Sequence, residues 1–148
     1  MADISLTWTG DKEFEAFVKR APNKALLALA GSLHLEGETI MTNSIDNYVP
    51  KDDGTLANSG FVTEPDTKGT RTIVTLGFGG SAAAYALAVH EHVGKHVGLP
   101  SPRSWWGKEI HWSVAGSGPK YLEKPVLEAK KGLDQRMGRR IRSRMEAL

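Results

Sequence analysis

The chain has no cysteine. That removes disulfides, thiolate metal sites and a cysteine nucleophile together, and it fits a reducing compartment. Long apolar runs are missing too: no stretch approaches the ~18 residues needed to span a bilayer. The N-terminus lacks a basic-then-apolar order, which predicts no secretory leader. Aromatics are sparse at 7%, and charge of one sign does not dominate, the net being +2. Sequence repeats and low-complexity tracts are absent as well.

What remains is ordinary for a globular domain: 148 residues, 40% hydrophobic and 24% charged. That length predicts one domain, residues 1–148, with a sizeable core. The charge is unevenly placed. From Lys130 to Leu148 there are seven basic residues and two acidic ones, a net +5, which leaves −3 on the rest.

Periodicity predicts an α+β fold. Its small, antiparallel-rich sheet packs against a long N-terminal helix, a short central helix and a C-terminal amphipathic helix. Ile4, Leu6 and Trp8 alternate with Ser5, Thr7 and Thr9, a strand at period two. Lys12–Arg20 reads as a turn or two of amphipathic helix, with a kink or restart at Pro22. Leu26, Leu29, Ala30, Leu33, Ile40 and Met41 then keep helical spacing, with an end near Asn43–Asn47. Gly31 and Gly37 inside it each cost about 1 kcal/mol against alanine, which is either tolerated weakness or a sign of close packing. Phe61–Thr63 and Thr72–Phe78 form a hairpin across a turn at Asp66–Gly69.

The stretch Ala82–Glu91 lies between two glycine-rich breaks and is rich in the best helix formers. Leu87 shares one face with Ala83 and Ala84, and Tyr85, Val89 and His92 form a second stripe. A helix apolar on two sides is expected to be buried on two sides, as a brace between the sheet and a second helix or subunit. Val93–Lys108 is long for a loop and carries Trp105-Trp106, a pair that suits an interface or the domain's own core. Ile110–Val114 reads as a short strand. From Pro119 onward Leu122, Val126, Ala129, Leu133, Met137, Ile141 and Met145 step by three or four, one continuous amphipathic helix with Pro125 limiting its first turn.

Candidate chemistry is thin. His90, His92 and His96 invite a metal reading, but the spacing of a zinc-protease helix is absent and residues two apart diverge on a helix. The alternative is a histidine favoured by the dipole at a helix end. Gly77-Phe-Gly-Gly-Ser81 opens a helix without the Gly-Lys-Ser/Thr ending of a phosphate loop. Asp46, Asp52, Asp53, Glu64 and Asp66 sit in turn contexts, where Asp bonds locally. These readings predict no catalytic residues, no cofactor and no metal. Arg139, Arg140, Arg142 and Arg144 form a basic helix with three readings: a solvated face, a protein-docking face, or a nucleic-acid-binding module.

Three segments together carry a resemblance. They are Val49-Pro50-x-Asp52-Asp53-Gly54-Thr55-Leu56-x-Asn58-Ser59-Gly60, then Tyr85-Ala86-x-x-Val89-His90-Glu91, then Lys120-Tyr121-Leu122-Glu123-Lys124-Pro125. In this order and spacing the chain, from Asp11 to its end, resembles the head–tail joining proteins of the tailed-bacteriophage neck, a family of tail-completion, tail-terminator and minor capsid proteins. The resemblance implies a non-enzymatic α+β virion protein that closes into a homo-oligomeric ring, hexameric in such proteins. Connector or stopper proteins lie on one face of the ring and the tail tube on the other. DNA passes through the channel without sequence-specific binding, and no membrane is involved. Assembly would occur in the host cytoplasm, with the protein ending in the virion neck. The implied subunit or partner interface is Asp53, Gly54, Thr55, Leu56, Tyr85, Val89, His90, Glu91, Trp105, Trp106, Tyr121 and Leu122. The Trp105-Trp106 loop is longer than the family pattern.

Overall fold

A computed structural model describes residues 2–6, 16, 19, 22–50, 54–69, 71–91 and 117–148. The expected α+β architecture is what these residues form. The element order is β1 (Ala2–Leu6), α1 (Pro22–Asn47), α2 (Thr55–Asn58), β2 (Gly60–Val62), β3 (Asp66–Lys68), β4 (Arg71–Phe78), a 3₁₀ turn (Gly80–Ala82), α3 (Ala83–Glu91), α4 (Glu123–Lys130) and α5 (Leu133–Ala147).

β4 is the central strand. β1 runs antiparallel along one edge, Ala2 opposite Phe78 and Leu6 opposite Val74. β2 and β3 share the other edge in succession, with Val62 opposite Leu76 and Asp66 opposite Ile73. Between those registers the β2–β3 side has one residue more than β4, a bulge. Pro65 explains it, because a proline has no N–H for the ladder. Thr63 repairs the gap: its N–H donates to Thr75 O at 2.8 Å, and its hydroxyl accepts from Thr75 N–H at 2.9 Å. The hairpin is therefore present, with one correction. Asp66–Lys68 is strand rather than turn, and the reversal follows at Gly69, where φ is +61°.

α1 begins at Pro22, where a proline's missing N–H costs nothing, and is rich in Ala and Leu. It stops at Asn47, where Tyr48 and Val49 N–H both return to Ser44 O and Pro50 follows. Its buried stripe is Ala25, Ala28, Leu29, Ser32, Leu33, Glu36, Ile40, Met41 and Ser44. The stripe lies on the sheet, and two glycines set how closely. A Cβ on Gly37 would come within 3.1 Å of Val62 Cγ1 and 3.3 Å of Val74 Cγ1. A Cβ on Gly60 would meet Met41 Sδ at 2.9 Å and Ile45 Cδ1 at 3.1 Å. Close packing is thus the reason for Gly37, against the sheet. Gly31 lies instead beneath Arg144, whose Nη1 would be 2.5 Å from an added Cβ.

Two apolar clusters result. The first joins Ile40, Met41, Val49, Leu56, Leu76, Phe78, Ala82, Ala86, Tyr121 and Leu122. The second joins Ala28, Leu29, Leu33, Val74, Met137 and Ile141. α3 is buried through Ala86 and His90, while Leu87 is 46% exposed, so among the described residues the burial expected on two sides is found on one.

The C-terminal helix is not continuous. It breaks at Lys131–Gly132, with Lys131 extended (ψ 116°) and Gly132 left-handed (φ 68°). These angles differ from helical ones mainly by the flip of one peptide unit, as type II turns differ from type I. The apolar stripe therefore runs on across the break: Val126 and Ala129 pack on the first cluster, Leu133 and Met145 on the second. Pro125 sits buried in the first turn of α4, as expected. The readings for Lys12–Arg20, Val93–Lys108 and Ile110–Val114 lie outside the described residues.

Candidate functional site

Two of the resembling segments meet at one junction, where the end of α3 touches the chain leading into α4. Lys120 N–H donates to His90 O at 2.7 Å. Lys120 itself is left-handed (φ 62°), which costs a non-glycine residue roughly 1–2 kcal/mol. Its side chain reaches two carboxylates: Nζ is 2.5 Å from Glu91 Oε2 and 3.1 Å from Glu123 Oε2. Tyr121 then turns fully inward. Its ring meets those of Phe78 and His90 edge-on, both at 5.0 Å between centroids, and its hydroxyl donates to Ala86 O at 2.8 Å. Ser44 Oγ, buried on α1, donates to Tyr121 O at 2.7 Å, and Gly118 N–H donates to Tyr48 O at 3.0 Å.

His90 is nearly buried and spans the junction. Glu123 N–H points at its Nε2, 3.4 Å away, so Nε2 accepts. The proton is then on Nδ1, which donates to Glu91 Oε1 at 2.7 Å. The Lys120 ammonium, and after it the His90 ring, hold the Glu91 carboxyl below the usual glutamate range. Glu91, then Glu123, hold Lys120 above the usual lysine range.

His90, Glu91 and Glu123 each offer a ligand atom, and these atoms lie within 4.8 Å of one another. The ammonium of Lys120 already bridges the two carboxylates there, and the histidine is oriented by Glu91 and the Glu123 amide. The junction's groups are spent on one another, which suits a joint between chain segments.

The other predicted residues are placed as follows. Gly54 is left-handed (φ 81°) at the head of α2, Thr55 is half-buried, and Leu56 plugs the first core cluster. Val89 is half-buried against that cluster and Leu122 is fully within it. Tyr85 lies on α3 in the turn before Val89. Asp53, Trp105 and Trp106, with His92 and His96 of the metal reading, lie outside the described residues. The structure thus unites His90, Glu91, Tyr121 and Leu122, while Leu56 reaches the same core from α2.

The four arginines of the basic helix divide. Arg140 Nη1 donates to Glu36 Oε2, Arg144 is exposed but reaches across Gly31, and Arg139 and Arg142 are exposed. Glu36 is the residue that sequence reasoning missed. Its side chain is 2% exposed, and both oxygens are taken, Oε1 by Arg136 Nη2 at 2.6 Å and Oε2 by Arg140. Arg136 also donates to Ala129 O and, at 2.6 Å, to Lys131 O. The peptide flip turns that carbonyl out of the helical ladder, and the guanidinium that caps it is the one that reaches Glu36. Three helices are locked by one side chain. The signal was present: Glu36 falls on the apolar spacing Leu29, Leu33, Ile40, where an acid needs a cation.

Beside this triad, α1 and α4 frame a groove of about 250 Å³ lined by Thr39, Ile40, Asn43, Pro125 and Glu128 among others. At its end Tyr48 Oη donates to Glu128 Oε1, and Asn43 Nδ2 donates to Oε2 at 3.3 Å. The Tyr48 bond holds the Glu128 carboxyl down, and Glu128 in turn holds the Tyr48 phenol up.

No protein-family model, curated protein or solved structure matches the chain. Among the described residues no helix is long and apolar enough to cross a membrane.

Proposed function

We propose that the chain is a non-enzymatic structural protein of a tailed-bacteriophage virion. Copies close into a ring, hexameric as in the family it resembles, at the head–tail interface. The ring completes or terminates the tail and joins it to the connector, with the tail tube on its other face and DNA passing through without sequence-specific contacts. One observation carries the reading. The Val-His-Glu end of α3 and the Lys-Tyr-Leu-Glu entry to α4, 29 positions apart at Glu91 and Lys120, form a single joint. A joint of this kind gives a structural reason for these residues to recur together in that order, and their polar groups are engaged in holding it. The charge division supports the same reading, since a ring contact joins two different surfaces of successive copies.

The test is electron microscopy and sedimentation of the full chain, alone and with tail-tube and connector proteins. Closed rings are expected. A protein that stays monomeric under all these conditions refutes the proposal.

A second reading, nucleic-acid binding through α5, is favoured by Arg139 and Arg142, which are exposed three residues apart on one helix. It predicts binding that weakens with salt, with a log–log slope of about −2 for two phosphate contacts. It also predicts loss of binding in Arg139→Glu/Arg142→Glu. Arg140 is unsuitable for that test because it holds Glu36.

A further inference from the structure

From Ala25 to Asn47, α1 carries Glu36, Glu38 and Asp46 and neither lysine nor arginine. α5 carries five arginines against Asp134 and Glu146. Within one copy the two helices already match by charge, Glu36 taking Arg136 and Arg140. A second set of the same chemistry faces outward. On α5 it is Arg139 and Arg142. On α1 it is Glu38, on the helix face that also carries two leucines left 64% (Leu27) and 39% (Leu35) exposed, with Arg144 of the same copy reaching Gly31 between Leu27 and Leu35. Glu64 joins this face. His34 Nδ1 lies 3.1 Å from Thr63 O, next to Glu64 in the chain, while its Nε2 lies 3.4 Å from Glu38 Oε1, so two exposed acidic residues neighbour His34.

We infer that the outward face of α1 is a docking surface for the outward face of α5 from a second copy of the chain, Arg139 and Arg142 pairing with Glu38 and Glu64 over Leu27 and Leu35. Arginine suits this seat twice: its methylene stem covers leucine while its guanidinium forks onto carboxylates. The two faces belong to different parts of one subunit, so the contact repeats from copy to copy and closes if the rotation allows. The inference deepens the ring reading and rests on it, naming the surfaces that meet between neighbours.

The experiment is sedimentation of the full chain over a concentration series, at low and high salt. It compares the wild type, Glu38→Lys/Glu64→Lys, Arg139→Glu/Arg142→Glu, and an equal mixture of the two variants. All four positions are exposed, so folding should survive, and circular dichroism checks that it does. Each variant alone should associate at least about tenfold more weakly, because like charges then face each other. The mixture should recover assemblies of wild-type size, since the variants complement each other in alternation. Either variant assembling as tightly as wild type overturns the inference, as does a mixture that stays dissociated. Wild-type rings that are indifferent to these charges sink this contact and leave the ring standing. A wild type that never assembles sinks both.

Discussion

Replacing Glu36 should be the most damaging single change to a polar residue in the described structure. Its carboxylate is buried, and two arginines from α5 hold it. Removing one member of a buried ion pair costs about 3–5 kcal/mol, chiefly by stranding the charge left behind. Here the stranded guanidiniums are 31% and 27% exposed and can turn to water, so the lower end applies, about 3 kcal/mol for Glu36→Ala. Glu36→Gln keeps the volume and an acceptor and should cost about 2 kcal/mol. In a chain of this size each kcal/mol moves the melting temperature by about 2–4 °C, so Glu36→Ala should melt about 6–12 °C lower. Arg136→Ala should cost more than Arg140→Ala, because Arg136 also caps Ala129 O and Lys131 O. Thermal and urea unfolding at neutral pH, with a double-mutant cycle on Glu36 and Arg136, measures all of this. A Glu36→Gln protein within about 0.5 kcal/mol of wild type, the scatter of ordinary surface changes, would refute the claim that this triad locks α5 onto α1.

Glycine substitutions should split by what the new methyl meets. Gly37→Ala presses on two stiff valines and should destabilise by about 1–2 kcal/mol, while Gly138→Ala on α5 meets nothing within 4 Å among the described residues and should stabilise by about 0.5–1 kcal/mol; equal urea midpoints would contradict this. Among the described residues Ser32 Oγ is buried without a hydrogen-bond partner, so Ser32→Ala should raise stability by about 1 kcal/mol, and a loss would show that the hydroxyl is used. The Glu91–Lys120 pair should stabilise across a plateau in pH. The depressed Glu91 contributes fully above the ordinary glutamate value and is lost as pH falls through its own lower one, whereas the raised Lys120 contributes fully below the ordinary lysine value and is lost as pH rises through its higher one. Urea midpoints against pH should lose part of the alkaline fall in Lys120→Met, and a profile parallel to wild type would contradict the assignment.

The elements came from local rules that act within a few residues. Helical spacing and Ala-Leu content made α1, period two and a glycine turn made the hairpin, and a glycine-framed alanine run made α3. The proline at 65 did not warn of strand on both its sides, because a bulge is settled by the partner strand. The unbroken stripe from Leu122 to Met145 hid the break at Gly132, since one peptide flip leaves the apolar face in line. Burial and pairing were decided only by the tertiary structure. Leu87 satisfies every rule for a core position and is exposed, and Glu36, on the apolar stripe of α1, is buried because two arginines of α5 reach it. His90, Lys120 and Tyr121 were legible as a motif, but their meeting depends on a left-handed lysine and on a serine of α1. The physical reason is range. Propensity and period are properties of neighbouring residues, whereas a charge becomes safe to bury only when another segment brings its counter-charge.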